Sequence, residues 1–388
     1  MNILFLLKGL EMGGVEVVTS VLAQKFKAEG HNVSIFALHR GNGSALARFP
    51  KDMDIRCGVG ISDCKENVQA LRQLLIDGHI DVVINQWALP YAPIKTLAKA
   101  RKGLNVKVIS VYHNDPLSNG RIQGVETMLA RTTNGMKRIV LNMQKAAFKF
   151  VTSRCMRYCY DHSDGFMVLS PSFVENFKRF TGIGNPDKLL VQTNPVTLEK
   201  DDYEYSEDYK QKEIIYVGRV DYTQKRVYRI IDAWRHIEHR YPDWKLTIVG
   251  DGEERENVEH QARDLELERV SFEGFQQPLE YYNRASVLVL ASEFEGFPLV
   301  LAECMSFGVV PVVLDSYAAA KDIVHNGENG FLVSYDKKAG FDSGLFAAKM
   351  EALMGDSALL NKMALAAIET SNEYSLDAIY EQWMKVLK

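Results

Sequence analysis

Long hydrophobic segments are missing from this sequence. No stretch of its 388 residues reaches the roughly 18 uninterrupted apolar residues that a membrane-spanning helix needs. The apolar run at residues 3–7 lies between Asn2 and Lys8 and is too short for a signal-peptide core. We therefore expect a cytoplasmic location and a buried first strand over residues 3–7.

Cysteine is scarce, and motifs for metals and dinucleotides are missing. The five cysteines are an odd number without the doublet spacing of a zinc site, which predicts reduced thiols. No Gly-x-Gly-x-x-Gly follows a strand candidate, and Gly250-Asp251-Gly252 continues into acidic residues, which disfavours a nicotinamide-dependent dehydrogenase. With 46% hydrophobic and 25% charged residues, the composition also excludes a disordered or collagen-like chain.

Charge is unevenly distributed along the chain. Residues 1–200 contain 26 basic and 16 acidic side chains, a net charge of +10, whereas residues 201–388 contain 20 and 34, a net charge of −14. The sign changes near residues 197–212, a polar stretch without an apolar period that we interpret as a linker. We expect domains over residues 1–196 and 213–372, and a closing helix over residues 373–388 that could cross back to the first domain.

Short apolar runs alternate with helical periods in both halves, which is typical of parallel sheets with crossover helices. The strand candidates are residues 3–7, 32–38, 81–85, 106–112 and 165–169, then 213–218, 245–250, 270–273, 286–290 and 309–314. Helical patterns include residues 15–29, 91–101 and 227–239. The sequence predicts an α/β protein of two doubly wound domains that face each other, with a ligand cleft at the carboxyl ends of both sheets.

Two glycine-containing turns follow predicted strands. Gly13-Gly14 would let a ligand approach the backbone and would leave helix N–H groups free for an anion, although glycine could serve turn geometry alone. Gly218-Arg219, with Lys225 six residues after the arginine, places two cations at the mouth of the second sheet. Two such cations suit a pyrophosphate, and a solvated basic loop is the alternative.

The most informative segment follows the fourth strand candidate of the second half and reads Glu-Gly-Phe-Pro. Gly296 gives a tight turn, and Pro298 suits the first position of a helix that begins near Leu299. Backbone N–H groups at that helix start could bind a phosphate. Glu295 and Glu303 could then line one cleft and bind sugar hydroxyls. Glu303 has apolar neighbours, so a buried carboxylate there needs a partner.

From Glu295 to Glu303 the sequence resembles the Glu-x7-Glu signature of glycosyltransferase family 4, whose members are retaining enzymes of the GT-B fold. Five further segments resemble that family in the same order along the chain: Gly13-Gly14-Val15-Glu16, Asn194-Pro195-Val196, Gly218-Arg219 with Lys225, Gly250-Asp251-Gly252 and Phe272-Glu273-Gly274-Phe275. The resemblance implies two Rossmann-like domains facing across a cleft. It also implies a bacterial enzyme that transfers a hexose-type sugar from a nucleotide diphosphate donor, a UDP-sugar first and GDP-mannose next, to a hydroxyl of a glycan or lipid-linked acceptor in cell-surface polysaccharide synthesis.

The same resemblance implies roles for individual residues. Glu303 would hold the nucleotide ribose, and Glu295 would contact the donor sugar. Arg219 and Lys225 would neutralise the leaving diphosphate, and His113 would lie near the donor sugar. The remaining expected donor contacts are Gly13, Gly14, Gly218, Phe275, Gly296 and the backbone N–H groups of Phe297, Leu299 and Val300. No covalent nucleophile is implied, because the leaving phosphate is thought to help deprotonate the acceptor.

Arg226 departs from the family pattern, since many members have glycine after the lysine. It adds a cation near the phosphates or covers the surface, and it leaves the loop conformation open. No Asp-x-Asp ends a strand candidate, because Asp201-Asp202 lies in the linker and Asp52-x-Asp54 precedes a weak strand. Fixed cations and helix N–H groups can stabilise a developing diphosphate, so we expect no metal and no other cofactor.

Residues 121–160 carry eight basic side chains against a single acid, Glu126, with apolar residues between them. A basic amphipathic helix can lie on an anionic leaflet, and the alternative is a surface helix packed on its own domain. The resemblance favours peripheral contact with the inner face of the cell membrane, since many members extend lipid-linked glycans. Nucleic acid is not expected as a partner, because the basic segment contains no recognisable reading module and the other half is acidic.

Two other functions fit the same residues. One is a GT-B enzyme that epimerises or hydrolyses a nucleotide sugar, which would yield free sugar or epimer without an acceptor-dependent product. The other is a protein that binds nucleotide sugars without catalysis. The intact glutamate pair and both cations favour an active transferase.

Overall fold

The computed structural model describes residues 1–89, 91–198 and 203–388. Asp201-Asp202 and the rest of 199–202, in the expected linker, lie outside the described residues. The chain divides into two compact units, which are Met1–Thr197 together with Leu376–Lys388, and Leu198–Ser375.

Strands and helices alternate along the described chain. The strands are β1 (Asn2–Leu7), β2 (Asn32–Ala37), β3 (Asp54–Cys57), β4 (Val82–Asn85), β5 (Lys107–Tyr112), β6 (Gly165–Val168), β7 (Leu189–Val191), β8 (Glu213–Val217), β9 (Lys245–Val249), β10 (Val270–Gly274), β11 (Val287–Leu290), β12 (Val310–Leu314) and β13 (Phe331–Val333). The helices are α1 (Gly14–Ala28), α2 (Lys65–Asp77), α3 (Tyr91–Ala100), α4 (Gly120–Arg131), α5 (Gly135–Asp161), α6 (Phe173–Thr181), α7 (Tyr228–Trp234), α8 (Arg255–Asp264), α9 (Leu279–Arg284), α10 (Leu299–Ser306), α11 (Ala320–Ile323), α12 (Ser343–Met354), α13 (Ser357–Ser371) and α14 (Leu376–Leu387).

Each unit contains one parallel sheet. In the first unit the strand order is β3-β2-β1-β4-β5-β6-β7, and in the second it is β10-β9-β8-β11-β12-β13. The central strands are buried along their whole length because helices cover both faces of such sheets. The order reverses between β1 and β4 and between β8 and β11, and ligands bind at such switch points in this class of fold. The predicted α/β class with two doubly wound domains is confirmed.

The ten strand candidates are confirmed, with each end within one residue of its prediction. Of the other three strands, β3 was expected only as a weak strand, and β7 and β13 were not predicted, since three residues are too few to show a period. The helix predicted over residues 227–239 was too long, because α7 ends at Trp234 and Glu238–Arg240 forms a separate 3₁₀ turn.

The segments near the expected boundaries pack against one unit each. The described part of the expected linker, residues 203–212, belongs to the second unit, where Tyr203 Oη donates a hydrogen bond to the carbonyl of Phe307 at 2.9 Å. The closing helix α14 belongs to the first unit, where Lys107 Nζ donates to the carbonyl of Val386 at 2.7 Å.

Within the described residues, no helix is long and apolar enough to cross a membrane. The same residues contain no group of three His, Cys, Asp or Glu side chains that could hold a metal ion. The five cysteines are free thiols, as predicted.

Candidate active site

Asp221 shapes the turn that follows β8. Its Oδ1 atom accepts hydrogen bonds from the backbone N–H groups of Gln224 (2.6 Å) and Lys225 (3.3 Å). Its Oδ2 atom accepts a hydrogen bond from Arg219 Nε at 2.9 Å. Aspartate commonly closes turns in this way. Because the Arg219 side chain is 64% exposed, its guanidinium remains accessible to an anion.

The loop after β11 carries both predicted glutamates into the interior. Glu295 and Glu303 are each 6% exposed, and Glu303 lies one turn inside α10 as predicted. Pro298 is the N-cap of α10 and not its first helical residue, while the helix begins at Leu299 as predicted. The first N–H groups of a helix have no partner within it, so the start of α10, with Phe297, Leu299 and Val300 beside it, can bind an anion.

An ion pair joins these two loops. Lys225 Nζ lies 2.6 Å from Glu295 Oε1, and the two side chains are only 15% and 7% exposed. Gln224 Nε2 donates to Glu295 Oε2 at 3.0 Å, and Gln224 Oε1 accepts from Arg219 Nη2 at 3.2 Å. The structure therefore brings Arg219, Lys225 and Glu295 into one polar network, with Gln224 as the link.

Buried tyrosines lie beside both glutamates. Burial, together with the charge of Glu295, raises the pKa values of Tyr216 and Tyr317. Burial, together with the charge of Glu303, raises the pKa of Tyr282, whose Oη donates to Glu303 Oε2 at 3.4 Å. These phenols therefore keep their protons at neutral pH. Tyr216 Oη donates its proton to the carbonyl of Arg219 at 2.7 Å, whereas Tyr282 Oη donates to Glu303.

Glycine is required where the turns of the second sheet touch. Gly218 and Gly250 have φ angles of +150° and +149°, and a Cβ atom on Gly250 would lie 1.8 Å from the carbonyl oxygen of Gly218. No residue with a side chain fits this approach. Gly296 lies in the turn between β11 and α10. Phe275 follows β10 at the same edge and is 75% exposed, so its ring is available to stack on a flat ligand.

Gly13 and Gly14 lie in the first unit, at the start of α1. Gly13 is the N-cap, with an extended φ of −164° that any residue can adopt, and Gly14 is the first helical residue. A Cβ atom on Gly13 would lie 2.8 Å from Glu16 Oε2. This atom is the end of a flexible side chain that can move aside, so neither backbone strain nor a fixed contact requires glycine at this position.

His113 also lies in the first unit, directly after β5. Its Nε2 atom is 2.7 Å from Oε1 of Gln86, which follows β4. Burial lowers the pKa of His113 to about 4, so the ring is neutral at pH 7. With Nε2 donating to the amide oxygen, Nδ1 carries the lone pair and can accept a hydrogen bond from a ligand hydroxyl.

A cavity of about 640 Å³ opens beside His113. Its lining is mainly apolar and includes Trp87 and Val151. Two cationic side chains also line it: Lys8, whose Nζ lies 5.0 Å from the centroid of the Trp87 ring, and Arg121. A cavity of this size and lining can take a ligand that combines an apolar or sugar-ring surface with negative charge.

Sequence reasoning did not single out Asp221, Gln224, Tyr282 or Trp87. An aspartate between Arg219 and Lys225 is a turn signal that could have identified Asp221. Gln224 and Tyr282 carry no such signal, because the glutamates that they contact lie 71 and 21 positions further along the chain. Likewise, only the fold brings Trp87 next to the residues after β5.

Two family models match the chain and together cover most of it. The model described as Glycosyltransferase Family 4 matches residues 12–200, and the model described as Glycosyl transferases group 1 matches residues 199–370. The first match includes His113 and its cavity, and the second includes the network of Arg219, Lys225 and Glu295.

Bacterial relatives are similar over different lengths. An uncharacterized glycosyltransferase of Haemophilus influenzae is 31% identical over 217 residues, or 55% of this chain and 57% of the relative. The amylovoran biosynthesis glycosyltransferase AmsD of Erwinia amylovora is 29% identical over 46% of this chain and 48% of its own length. The chain thus spans about half the length of these two relatives. An alpha-1,4-N-acetyl-D-galactosaminyltransferase of Campylobacter jejuni, named for a PP-undecaprenol-linked acceptor, is 24% identical over 100% of this chain and 98% of the relative.

Solved structures resemble the whole chain. The apo form of the lipopolysaccharide outer core galactosyltransferase WaaB superposes with a TM-score of 0.70 and 22% identity, covering 100% of this chain and 99% of WaaB. Anabaena HepE in complex with UDP superposes with a TM-score of 0.75 and 17% identity over the same shares of the two chains. These likenesses show that the fold is GT-B.

Proposed function

Because the chain belongs to glycosyltransferase family 4, we propose that it transfers a hexose-type sugar from a nucleoside diphosphate donor to a hydroxyl of a glycan or lipid-linked acceptor. The reaction retains the anomeric configuration and serves the synthesis of a bacterial cell-surface polysaccharide. UDP is the proposed carrier, and the complex of the similarly folded HepE with UDP supports this choice.

The observation that carries the proposal is the Lys225–Glu295 pair at the carboxyl edge of the second sheet. Lys225 would contact the diphosphate of the donor, and Glu295 would contact its sugar. The ion pair between them would therefore hold both contacts in one place. Arg219 is exposed and adds a second cation, and its guanidinium can bind phosphate oxygens in a bidentate way. Glu303, supported by Tyr282, would hold the ribose hydroxyls.

The chemical step needs stabilisation of the negative charge that develops on the leaving diphosphate. Lys225, Arg219 and the N–H groups at the start of α10 follow β8 and β11 at one edge of the sheet, and preorganised donors at such an edge would lower the barrier to diphosphate departure. We propose that no metal takes part. His113, neutral because its pKa is about 4, would exchange hydrogen bonds with a sugar hydroxyl and would not act as a cation.

We assign the acceptor to the cavity of the first unit. Trp87 offers an indole face to a sugar ring, and Lys8 and Arg121 offer positive charge to an anionic group of the acceptor. A saccharide linked to a lipid diphosphate has both features, and the name of the Campylobacter jejuni relative includes such an acceptor.

Helix α5 is the proposed membrane contact. Its exposed apolar side chains, with exposed fractions of 51 to 81%, are Met136, Ile139, Val140, Met143, Phe150 and Val151. Several of its basic residues face the protein: Lys145 pairs with Glu126 at 2.6 Å, and Arg157 donates to the carbonyl of Thr181 at 3.0 Å. Because these basic residues are paired within the protein, the affinity of α5 for a membrane would depend mainly on its exposed apolar side chains.

Single-turnover reactions with UDP- and GDP-sugars test the proposal, with and without a saccharide linked to undecaprenyl diphosphate and in the presence of EDTA. We expect nucleoside diphosphate release that requires acceptor, persists in EDTA and yields a product with the donor's anomeric configuration. Free sugar or epimer formed without acceptor would identify a hydrolase or epimerase instead. Nucleotide binding without any turnover would identify a binding protein.

A further inference from the structure

The turns after β8 and β11 are fastened to each other by a set of contacts that we call the loop clasp, formed by residues 224–226 and 293–295. The backbone N–H of Glu293 donates to the carbonyl of Gln224 at 2.7 Å. Gln224 and Lys225 both bind the carboxylate of Glu295, at 3.0 and 2.6 Å. Arg226 Nη1 lies 3.2 Å from Glu293 Oε2. Gln224 and Lys225 of the first turn thus contact Glu295 of the second turn, and Arg226 contacts Glu293.

Arg226 has a backbone conformation that favours glycine. Its φ angle is +49°, in the left-handed region that non-glycine residues adopt rarely and at a cost. The side chain is 17% exposed and its guanidinium pairs with Glu293. The left-handed residue directly follows Lys225, and its N–H group donates to the carbonyl of Asp221 at 2.9 Å in the same turn, so a change in its backbone would disturb the turn that presents Lys225 to Glu295.

Glu293 anchors the clasp from inside the unit. Its side chain is 4% exposed, and its Oε2 atom also lies 2.9 Å from Arg229 Nη2 and 3.1 Å from Tyr335 Oη. Arg229 in turn donates to the carbonyl of Ala291 at 3.1 Å. This carboxylate is therefore rigidly held and faces Arg226 and Arg229, whereas Glu295 faces Lys225.

We propose that Glu293 is a positioning residue for the donor site: it holds Arg226 in the left-handed conformation and thereby keeps Lys225 against Glu295. The inference rests on the proposed function, which assigns Lys225 and Glu295 to the donor. It extends that function by naming two residues that act on the donor through Lys225 without contacting the donor themselves.

Two substitutions of Arg226 distinguish an effect of its backbone conformation on the position of Lys225 from an effect of its positive charge. Arg226→Ala removes the ion pair and leaves a residue that is strained at a positive φ, whereas Arg226→Gly removes the same pair but accepts that φ without strain. Residues in contact couple by amounts that correspond to between about two- and 150-fold in affinity. We expect Arg226→Ala to raise the donor KM within that range, and Arg226→Gly to restore most of it, with the acceptor KM unchanged in both.

Glu293→Gln provides the second arm, with Glu213→Gln as its matched control. Glu213 is 0% exposed in its side chain and is bound by Arg284 at 2.7 Å, but it begins β8 at the opposite edge of the sheet. Both substitutions should lower the melting temperature, and only Glu293→Gln should raise the donor KM. Loss of folding alone would lower the active fraction and hence the apparent kcat, and would leave the KM values unchanged.

The outcomes separate this inference from the proposed function. A wild-type protein that neither binds nor turns over nucleotide sugars would overturn both. An active wild type with equal donor KM in Arg226→Ala and Arg226→Gly, or with an unchanged donor KM in Glu293→Gln, would overturn the inference alone. If Glu293→Gln does not fold, the comparison of the two Arg226 variants decides.

Discussion

The carboxyl edges of the two sheets have the same topology and different chemistry. In the second unit, opposite charges meet at short range in the Lys225–Glu295 pair, with Arg219 and Gln224 beside it. In the first unit, a neutral His113 lies next to a mainly apolar cavity. In both sheets a ligand can bind at the point where the strand order reverses, and the side chains that follow the strands determine which kind of ligand binds there.

Net charge alone does not locate the groups that can bind an anion. The half of the chain with a net charge of −14 contains Arg219 and Lys225 at one sheet edge, and the half with +10 contains a mainly apolar cavity lined by two cationic side chains, Lys8 and Arg121. Two cations fixed by Asp221 and Glu295 at one sheet edge matter more to an anionic ligand than many solvated charges elsewhere.

The largest effect should come from breaking the charged network. Lys225→Ala removes the cation proposed for the diphosphate and leaves the buried Glu295 with the Gln224 amide but without a cationic partner. Removing one such electrostatic donor typically costs about a hundredfold or more in rate, so kcat/KM should fall by at least that factor. Lys212→Ala, at an exposed lysine of the same unit with 59% exposure, is the control. Near wild-type transfer by Lys225→Ala would contradict the assignment.

Glu303→Gln should weaken nucleotide binding by about ten- to a hundredfold, because a hydrogen bond to a charged group contributes about 1.5–3 kcal/mol. Calorimetric titration with UDP measures the change. Glu280→Gln, at an exposed glutamate in α9, should bind UDP like the wild type. Equal affinity in all three proteins would remove Glu303 from the site.

Substitutions on α5 test whether the first unit meets a membrane. Met143→Ser with Phe150→Ser removes side chains that are 69% and 67% exposed and should reduce binding to phosphatidylglycerol-containing vesicles about tenfold or more. Flotation at low salt is the measurement. Leu365→Ser, at a residue of the second unit with 54% exposure, should float like the wild type. Wild-type protein that ignores these vesicles would rule out the contact.

A reciprocal pair of aromatic substitutions would sharpen the contrast between the two units. Trp87→Ala should raise the acceptor KM about three- to tenfold and leave UDP affinity unchanged, since stacking of this kind contributes about 0.5–1.5 kcal/mol. Phe275→Ala should do the reverse. Steady-state kinetics with each substrate varied in turn would show the crossing pattern, and both variants affecting the same substrate would refute the division of roles.

His113 should affect stability with a defined pH dependence. Burial holds its pKa at about 4, below the unfolded value, so its contribution is complete above about pH 6.5 and is lost as the pH falls toward 4. Across that range the wild type should lose about 2–3 kcal/mol more than His113→Asn, several degrees in melting temperature. His260→Asn, at an exposed histidine, should follow the wild type. Parallel melting curves for wild type and His113→Asn would contradict the burial argument.

The strands were predictable because continuous apolar runs such as β4 and β11 are the direct mark of a buried parallel sheet. The start of α10 was predictable from Gly296 and Pro298. The Lys225–Glu295 contact was not, because it joins residues 70 positions apart and depends on β8 pairing with β11. The left-handed backbone of Arg226 could not be predicted from the neighbouring residues either, because a positive φ usually indicates glycine. The partner of its side chain, the buried Glu293, lies far away along the chain.

The diphosphate site can be tested by melting the protein with nucleotides, because a ligand that binds only the folded state must stabilise it. Wild type and Lys225→Ala would be melted with UDP, UMP, GDP and ADP. We expect UDP to raise the melting temperature of the wild type more than UMP does, and this difference to disappear in Lys225→Ala. A wild-type melting temperature that no nucleoside diphosphate raises would contradict a diphosphate site built around Lys225 and Glu295.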